Sequence, residues 1–364
     1  MNVQPRLDTA SDAAPCATAT RADFQSEDDK DMLRAARELT KDLGAAKPGI
    51  YWPDTLISAA LGYGGIAVAI LSGNVMVSVV AGLVASLALY RALMFIHELT
   101  HIKEDALPGY RLGWNLLVGI PLLTPSFMYE GVHVIHHKRT QYGTIEDPEY
   151  LALALMKPWS LPAFVMVALL APVALLLRSA VLVPLGLIIP PLGKLVWQRA
   201  SALSINPDFV RKPANGKIAK RYVWQQVGAS IWAITLIASI FVIGWQPLVI
   251  GLAIVSLTAT LNQLRTLVAH LWENEGEPMT VTAQYLDSVN VPPPGVAAEI
   301  WAPVGLRYHA LHHLMPSMPY HDLPEAHRRL AKELGTGSTY ESGNHSGMWG
   351  LVARIARSTM LPRG

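Results

Sequence analysis

Apolar and polar positions separate along this chain into long uncharged runs and short polar intervals. Residues 55–74, 75–90, 112–129, 159–177, 179–193 and 222–264 contain no Asp, Glu, Lys or Arg. About 20 apolar residues cross the hydrocarbon core of a bilayer, so the last run holds two spans joined by a turn. The pattern predicts an all-α, polytopic membrane protein with about four transmembrane helices plus interfacial helices. The spans fall at 54–72, 75–96, 223–243 and 247–267, paired through the uncharged turns Ser72-Gly73-Asn74 and Gly244-Trp245-Gln246.

The remaining apolar runs are broken. Gly119, Pro121 and Pro125 interrupt 112–129, which reads as a shallow or re-entrant element. The stretch 159–197 is punctuated by Pro162, Pro172, Arg178, Pro184, Pro190 and Pro191, and reads as a short hairpin or as a segment along the interface. Residues 1–25 are polar and read as disordered, without the basic and apolar regions of a secretory signal. Ser26 opens a helix signal with Asp29 three residues on, and Met32, Ala36, Leu39 and Leu43 recur on one face. The expectation is an amphipathic helix within 26–48, interfacial or simply exposed, stopped by Pro48 and Pro53. Pro292-Pro293-Pro294 precedes a predicted short aromatic helix over 301–313. The tail, 331–364, carries Arg354, Arg357 and Arg363 among apolar residues, as a headgroup contact or a frayed terminal helix.

Composition agrees with the pattern. Of 364 residues, 51% are hydrophobic and 15% charged, where soluble domains carry about 25%. The net charge of +2 comes without a basic patch interleaved with aromatics, so no nucleic acid partner is implied. The single cysteine, Cys16, leaves no internal disulfide and no thiolate cluster. The loop 198–221 carries Arg199, Arg211, Lys212, Lys217, Lys220 and Arg221 against Asp208, which the positive-inside rule assigns to the cytoplasm. Two hairpins return the chain to that side, together with Lys103 and Lys138-Arg139.

The candidate chemistry lies at the ends of the apolar runs. Nine of the twelve histidines form four groups: His97 and His101; His133, His136 and His137; His270; and His309, His312 and His313. On a helix, i, i+3 and i+4 share a face, so each multiple group converges. The topology puts all four groups on the cytoplasmic face, as a histidine cap over the membrane bundle. Nine imidazoles exceed the four ligands of one zinc ion and fit two metals, with iron allowed by nitrogen-rich ligation. Haem ligation pairs histidines inside spans, and a metal-transport path needs a polar membrane interior; neither is present in the pattern. Glu98 and Glu130 stand beside the first two groups, as outer partners of the ligands or as helix-end residues.

These boxes resemble the membrane fatty acid desaturase family, whose superfamily also contains hydroxylases, ketolases and alkane monooxygenases. The likeness covers about 50–330, which the resemblance makes one membrane domain. The run Leu264-Arg-Thr-Leu-Val-Ala-His270 resembles the family segment that supplies an additional histidine. Asp287-Ser-Val-Asn290 and the stretch from Pro303 to His321 are similar to the bacterial branch. Thr266 stands where the animal enzymes have an asparagine that holds a water ligand, with Asn262 one turn further away. The first box has three intervening residues where the animal enzymes have four. His321 and His327, in Pro-Tyr-His-Asp-Leu-Pro-Glu-Ala-His, fit an outer or structural role.

The resemblance implies two iron ions (Fe2+/Fe3+) held by the nine histidines, with O2 as co-substrate, in a bacterial inner membrane protein. Glu98, Glu130, Asn262, Thr266, His321 and His327 are the candidate outer residues, and no group beyond the ligands is expected to be catalytic. The implied activity is desaturation of a fatty acyl chain carried as an acyl-lipid, acyl-CoA or acyl-carrier protein. The alternative is hydroxylation or monooxygenation of a lipid or hydrocarbon; a non-catalytic membrane scaffold is the third reading. Electrons come from an external donor, such as ferredoxin with its reductase. Lys138-Arg139 or the 199–221 loop would receive that donor, unless those bases serve topology alone.

Overall fold

The computed structural model describes residues 27–153 and 156–360; the expected disordered segment 1–25 and Arg363 lie outside them. The fold is all-α. The helices are α1 (Lys30–Leu39), α2 (Pro48–Leu71), α3 (Val75–His101), α4 (Tyr110–Trp114), α5 (His133–His136), α6 (Ser160–Leu177), α7 (Val183–Ile188) and α8 (Pro190–Ala200). They continue with α9 (Gly216–Ala238), α10 (Ile240–Ile243), α11 (Gln246–Leu267), α12 (Val281–Asp287), α13 (Ala298–Trp301), α14 (His309–Leu314), α15 (Leu323–Leu334), α16 (Thr339–Ser342) and α17 (Met348–Met360). Among the described residues, five helical segments are long and apolar enough to cross a membrane: Pro48–Leu71, Val75–His101, Ser160–Ile188, Ile218–Ile243 and Gln246–Leu267. Leu71, Val75, Phe241 and Val242, at the hairpin tips, are 80–89% exposed. Burying such a side chain yields about 1.5–3 kcal/mol, so this surface belongs in lipid. The protein is a multi-pass helical membrane protein.

The first hairpin forms where the sequence predicts it. Asn74 caps α3, its Oδ1 accepting from the Met76 and Val77 N–H groups at 2.9 and 3.2 Å. Gly62 and Gly65 bring α2 against α3; a Cβ on Gly65 would sit 2.9 Å from the Ala81 carbonyl oxygen and 2.9 Å from the Ala85 Cβ. Pro48 and Pro53 do not stop a helix, contrary to expectation. Pro48 starts α2, where an N–H is spare, and Pro53 lies inside its early turns at the cost of one hydrogen bond. The second hairpin turns at Gly244, whose φ of +80° suits glycine.

The segment 160–188 is one helical run, where two shorter stretches were expected. A π-helical turn at Arg178–Leu182 joins α6 to α7 without a break, and Pro184 sits in the first turn of α7 just past it. The run then doubles back through α8, with Gly186 and Gly193 in backbone contact, so the reversal falls at Ile189 rather than between the two apolar stretches. Gln263 Nε2 donates to the Phe164 carbonyl at 2.7 Å, and Arg178 donates to the Ala200 carbonyl and to Gln226 Oε1. Residues 112–129 fold back on themselves, as predicted. Asn115 closes on Ser126 through two hydrogen bonds of 2.8 and 2.9 Å.

The polar C-terminal third builds a cap with α1. Asp29 itself caps α1, its Oδ1 accepting from the Asp31 and Met32 N–H groups at 3.1 and 2.9 Å. Met32 and Ala36 are buried in the same core cluster as Trp272, Tyr285, Leu330 and Ile355, so α1 is docked on the cap rather than simply exposed. In place of one helix over 301–313, α13 and α14 are separated by a turn containing Gly305 at φ +70°. The tail is a docked helix: Leu351 and Ile355 of α17 are buried, and Arg354 pairs with Glu273 at 3.1 Å.

Candidate metal centre

All nine predicted histidines come together. His97 and His101 end α3, His133 and His136 bound the short α5 with His137 next, His270 follows α11, and His309, His312 and His313 share α14. They divide into two sets. His97, His101, His133 and His312 place one nitrogen each within 4.8 Å of one another, and so do His136, His270, His309 and His313. His137 joins the first set, its Nε2 lying 2.9 Å from His133 Nε2 and 3.1 Å from His312 Nε2. The histidine rings are buried or half-buried.

The opposite ring nitrogens are held from outside. His133 Nδ1 donates to Glu149 Oε1 at 2.8 Å, and Tyr129 OH donates to the other oxygen at 2.5 Å. His136 Nδ1 lies 2.9 Å from Asp147 Oδ2, which also accepts from the Gly143 N–H at 2.8 Å. Tyr142 OH donates to Asp287 Oδ2 at 2.6 Å, so its oxygen accepts from His270 Nδ1 at 2.8 Å. These partners assign the proton to Nδ1 and leave the lone pair on Nε2, directed inward. Asn290 Oδ1 accepts from the Leu311 N–H at 3.0 Å and sets the start of α14 beside His270.

The inward nitrogens test whether metal ions fit. Nε2 of His136 faces Nε2 of His270 at 3.2 Å, His309 faces His270 at 3.0 Å, and His97 faces His312 at 2.9 Å. His136 and His270 give their Nδ1 protons to Asp147 and Tyr142, so at that pair lone pair meets lone pair unless a cation lies between them. Nε2 of His101 is buried with no hydrogen-bond partner. Burial, and then the neighbouring imidazoles, hold His133, His312 and His313 well below the ordinary histidine value, so these rings are neutral donors. At His136 burial also lowers the pKa, but Asp147 outweighs it and the net shift is upward. Burial raises Glu149 to about 7 and Asp287 to about 6. A cation in either set would favour their ionised forms. Metal ions fit this donor set.

The other predicted residues lie around the sets. Glu98 turns away to accept from Tyr51 OH and from the Tyr320 N–H, joining α2 and the chain after α14 to α3. Glu130 accepts from Arg111 at 2.7 Å, Ser126 at 2.7 Å and Arg221. Arg111 also donates to the Leu99 carbonyl, so this cluster ties the end of α3 to the second box. His321 pairs with Asp322 at 2.9 Å, and His327 Nδ1 meets Tyr340 OH at 2.9 Å; both sit in the cap. Asn262 Oδ1 is buried without a partner, and no hydrogen bond joins Asn262 or Thr266 to a histidine among the described residues. Sequence reasoning missed Tyr129, Tyr142, Asp147, Glu149 and Asp287 as ring-orienting groups. The signal for two of them was Asp147-Pro-Glu149, acids placed just after the second box.

The fatty acid desaturase family model matches residues 74–343. A ceramide hydroxylase of Caulobacter vibrioides (strain NA1000 / CB15N) is 49% identical over 331 residues, covering 90% of this chain and 94% of that protein. No solved structure matches the chain. The chain belongs to the fatty acid desaturase family, and with its two histidine sets it is a non-haem di-iron oxidoreductase. Within that superfamily the relative is a hydroxylase, which favours the alternative reading over the expected desaturation.

Proposed function

We propose that this member of the fatty acid desaturase family is an O2-dependent lipid hydroxylase acting on an amide-linked, ceramide-type lipid. The observation that carries the reading is the 49% identity to a ceramide hydroxylase across nearly the full length of both chains. The two histidine sets support it. In this reading His97, His101, His133, His137 and His312 hold one iron, and His136, His270, His309 and His313 hold the other.

The bound iron pair supplies C–H cleavage and oxygen insertion: R–H, O2, two electrons and two protons give R–OH and water. The chain's own residues prepare this. Glu149, Asp147 and the Tyr142–Asp287 pair fix the Nδ1 protons and so aim the Nε2 lone pairs inward, an outer-sphere role that tunes affinity. The buried rings exclude water from the centre. Glu98 and Glu130 act further out, by fastening the helices that carry the first and second boxes.

Topology follows from the same reading. The α2/α3 and α9/α11 hairpins cross the bilayer. The run 160–188 lies obliquely, since both Phe164 and Arg178 are tied to residues near the site end, and α8, with 11 residues, is too short to recross. The site faces the cytoplasm of a bacterial inner membrane, where the basic 199–221 loop lies and where a ferredoxin-type donor is available. Expression in a bacterium that makes ceramides, followed by mass spectrometry of total lipids, tests the assignment. Amide-linked lipids gaining one oxygen support it; loss of two hydrogens instead returns the assignment to desaturation.

A further inference from the structure

Arg265 is a buried cation that the metal centre does not use. It lies on the last turn of α11, five residues before His270, and is 8% exposed. Its Nε has no hydrogen-bond partner; among the described residues no carboxylate forms a direct ion pair with it, though its charge reaches Glu149. Tyr90 OH donates to the Trp301 carbonyl at 2.7 Å, which leaves its oxygen to accept from Arg265. Tyr90 stands seven residues before His97 on α3, about 10 Å along the axis toward the bundle interior. The guanidinium is therefore on the membrane side of the centre, close enough for its charge to act on His270 and His309. A buried guanidinium carries five N–H donors, of which Tyr90 can take only one or two, and leaving Nε unpaired is costly. Inside a membrane bundle, such a residue marks a place where a polar group arrives.

We propose that Arg265 anchors the polar end of the lipid substrate, donating to an oxygen acceptor: the carbonyl of an N-acyl amide or a carboxylate. The inference rests on the lipid hydroxylase reading and sharpens it. With the head held beside the centre, the oxidised carbon lies within the first few carbons of the polar end, not in the middle of the chain. Tyr90 orients the guanidinium through its own hydrogen bond to Trp301.

The test uses the iron-loaded protein in nanodiscs without O2, as wild type, Arg265→Gln and Arg265→Lys. Equilibrium binding is measured for a short-chain ceramide, a fatty acid and an alkane of matched length, with iron content determined in parallel. The expected result is a loss of about 10- to 100-fold for the oxygen-bearing probe in Arg265→Gln, with partial recovery in Arg265→Lys. Alkane binding and iron content stay unchanged. Loss for the ceramide identifies the amide as the ligand, and loss for the fatty acid alone identifies a carboxylate. Unaltered binding of both overturns the proposal, as does an equal loss for all three probes or a loss of iron, either of which makes Arg265 structural. If the anchor is confirmed but no lipid is oxidised in air with reductant, the hydroxylase reading fails and the anchor stands.

Discussion

His136 and His270 face each other through their Nε2 atoms at 3.2 Å, while each Nδ1 is held by a different acid-bearing segment of the chain. Asp147 takes the proton of one ring; Tyr142, itself bonded to Asp287, takes that of the other. The loop after the second box and the end of α12 thus meet on two rings that are 134 residues apart in sequence. This convergence makes the outer partners as testable as the ligands.

Asp147→Asn keeps the shape but replaces one of the accepting oxygens with an amide nitrogen. Iron affinity should fall about 10- to 100-fold, as for other outer partners of ligating histidines. Competitive chelation followed by metal analysis measures this, and Tyr142→Phe should give a change of the same kind. Unchanged retention in both variants would mean that the outer hydrogen bonds do not tune the site.

The two sets predict separable losses. His312→Ala should deplete the first set and His313→Ala the second, each lowering iron without removing all of it. Whole-protein iron counting and Mössbauer spectroscopy report the remainder. If either single change empties both sets completely, the division into two sites is wrong or the sites bind cooperatively as one.

Glu130 is buried between Arg111 and Arg221. Glu130→Ala removes the carboxylate shared by Arg111 and Arg221; Arg221 keeps Glu104, so the cost falls below the about 3–5 kcal/mol of a fully stranded buried charge. Thermal unfolding in detergent should register a clear drop, whereas truncating the half-exposed Glu325, paired with the exposed Arg328, should register little.

Gly65 tests the first hairpin. Gly65→Val forces apart α2 and α3, since an added Cβ would lie 2.9 Å from the Ala81 carbonyl, at about 1–3 kcal/mol. Gly64, whose added Cβ meets nothing within 4 Å, is the matched control, and Gly64→Ala should be neutral or slightly stabilising. Equal melting temperatures for the two variants would contradict the close packing.

The hairpins were legible because lipid demands long uncharged runs and because Ser72-Gly73-Asn74 and Gly244-Trp245-Gln246 punctuate them. The histidine groups were legible because i, i+3 and i+4 on a helix can be read locally. Other features depend on contacts between segments, which local sequence marks weakly or not at all. Asp147 and Glu149 reach their rings from an irregular loop, and Asp287 acts through Tyr142. Arg178 and Pro184 looked like breaks in 160–188, but a π-helical turn carries the helix through them. Pro48 and Pro53 were read as stops because a proline opening a helix and a proline ending one share the same letters. The reaction outcome was not legible, because alcohol and alkene differ only in the fate of the carbon after its first hydrogen is removed.

The most direct test of the account is oxidation by the purified, iron-loaded protein of a ceramide under isotopically labelled O2 with a reduced ferredoxin-type donor. The account predicts a product bearing one added oxygen atom, labelled from O2, on the acyl or long-chain base near the amide. A product short of two hydrogens with no label, or an added oxygen that comes from water, would contradict it.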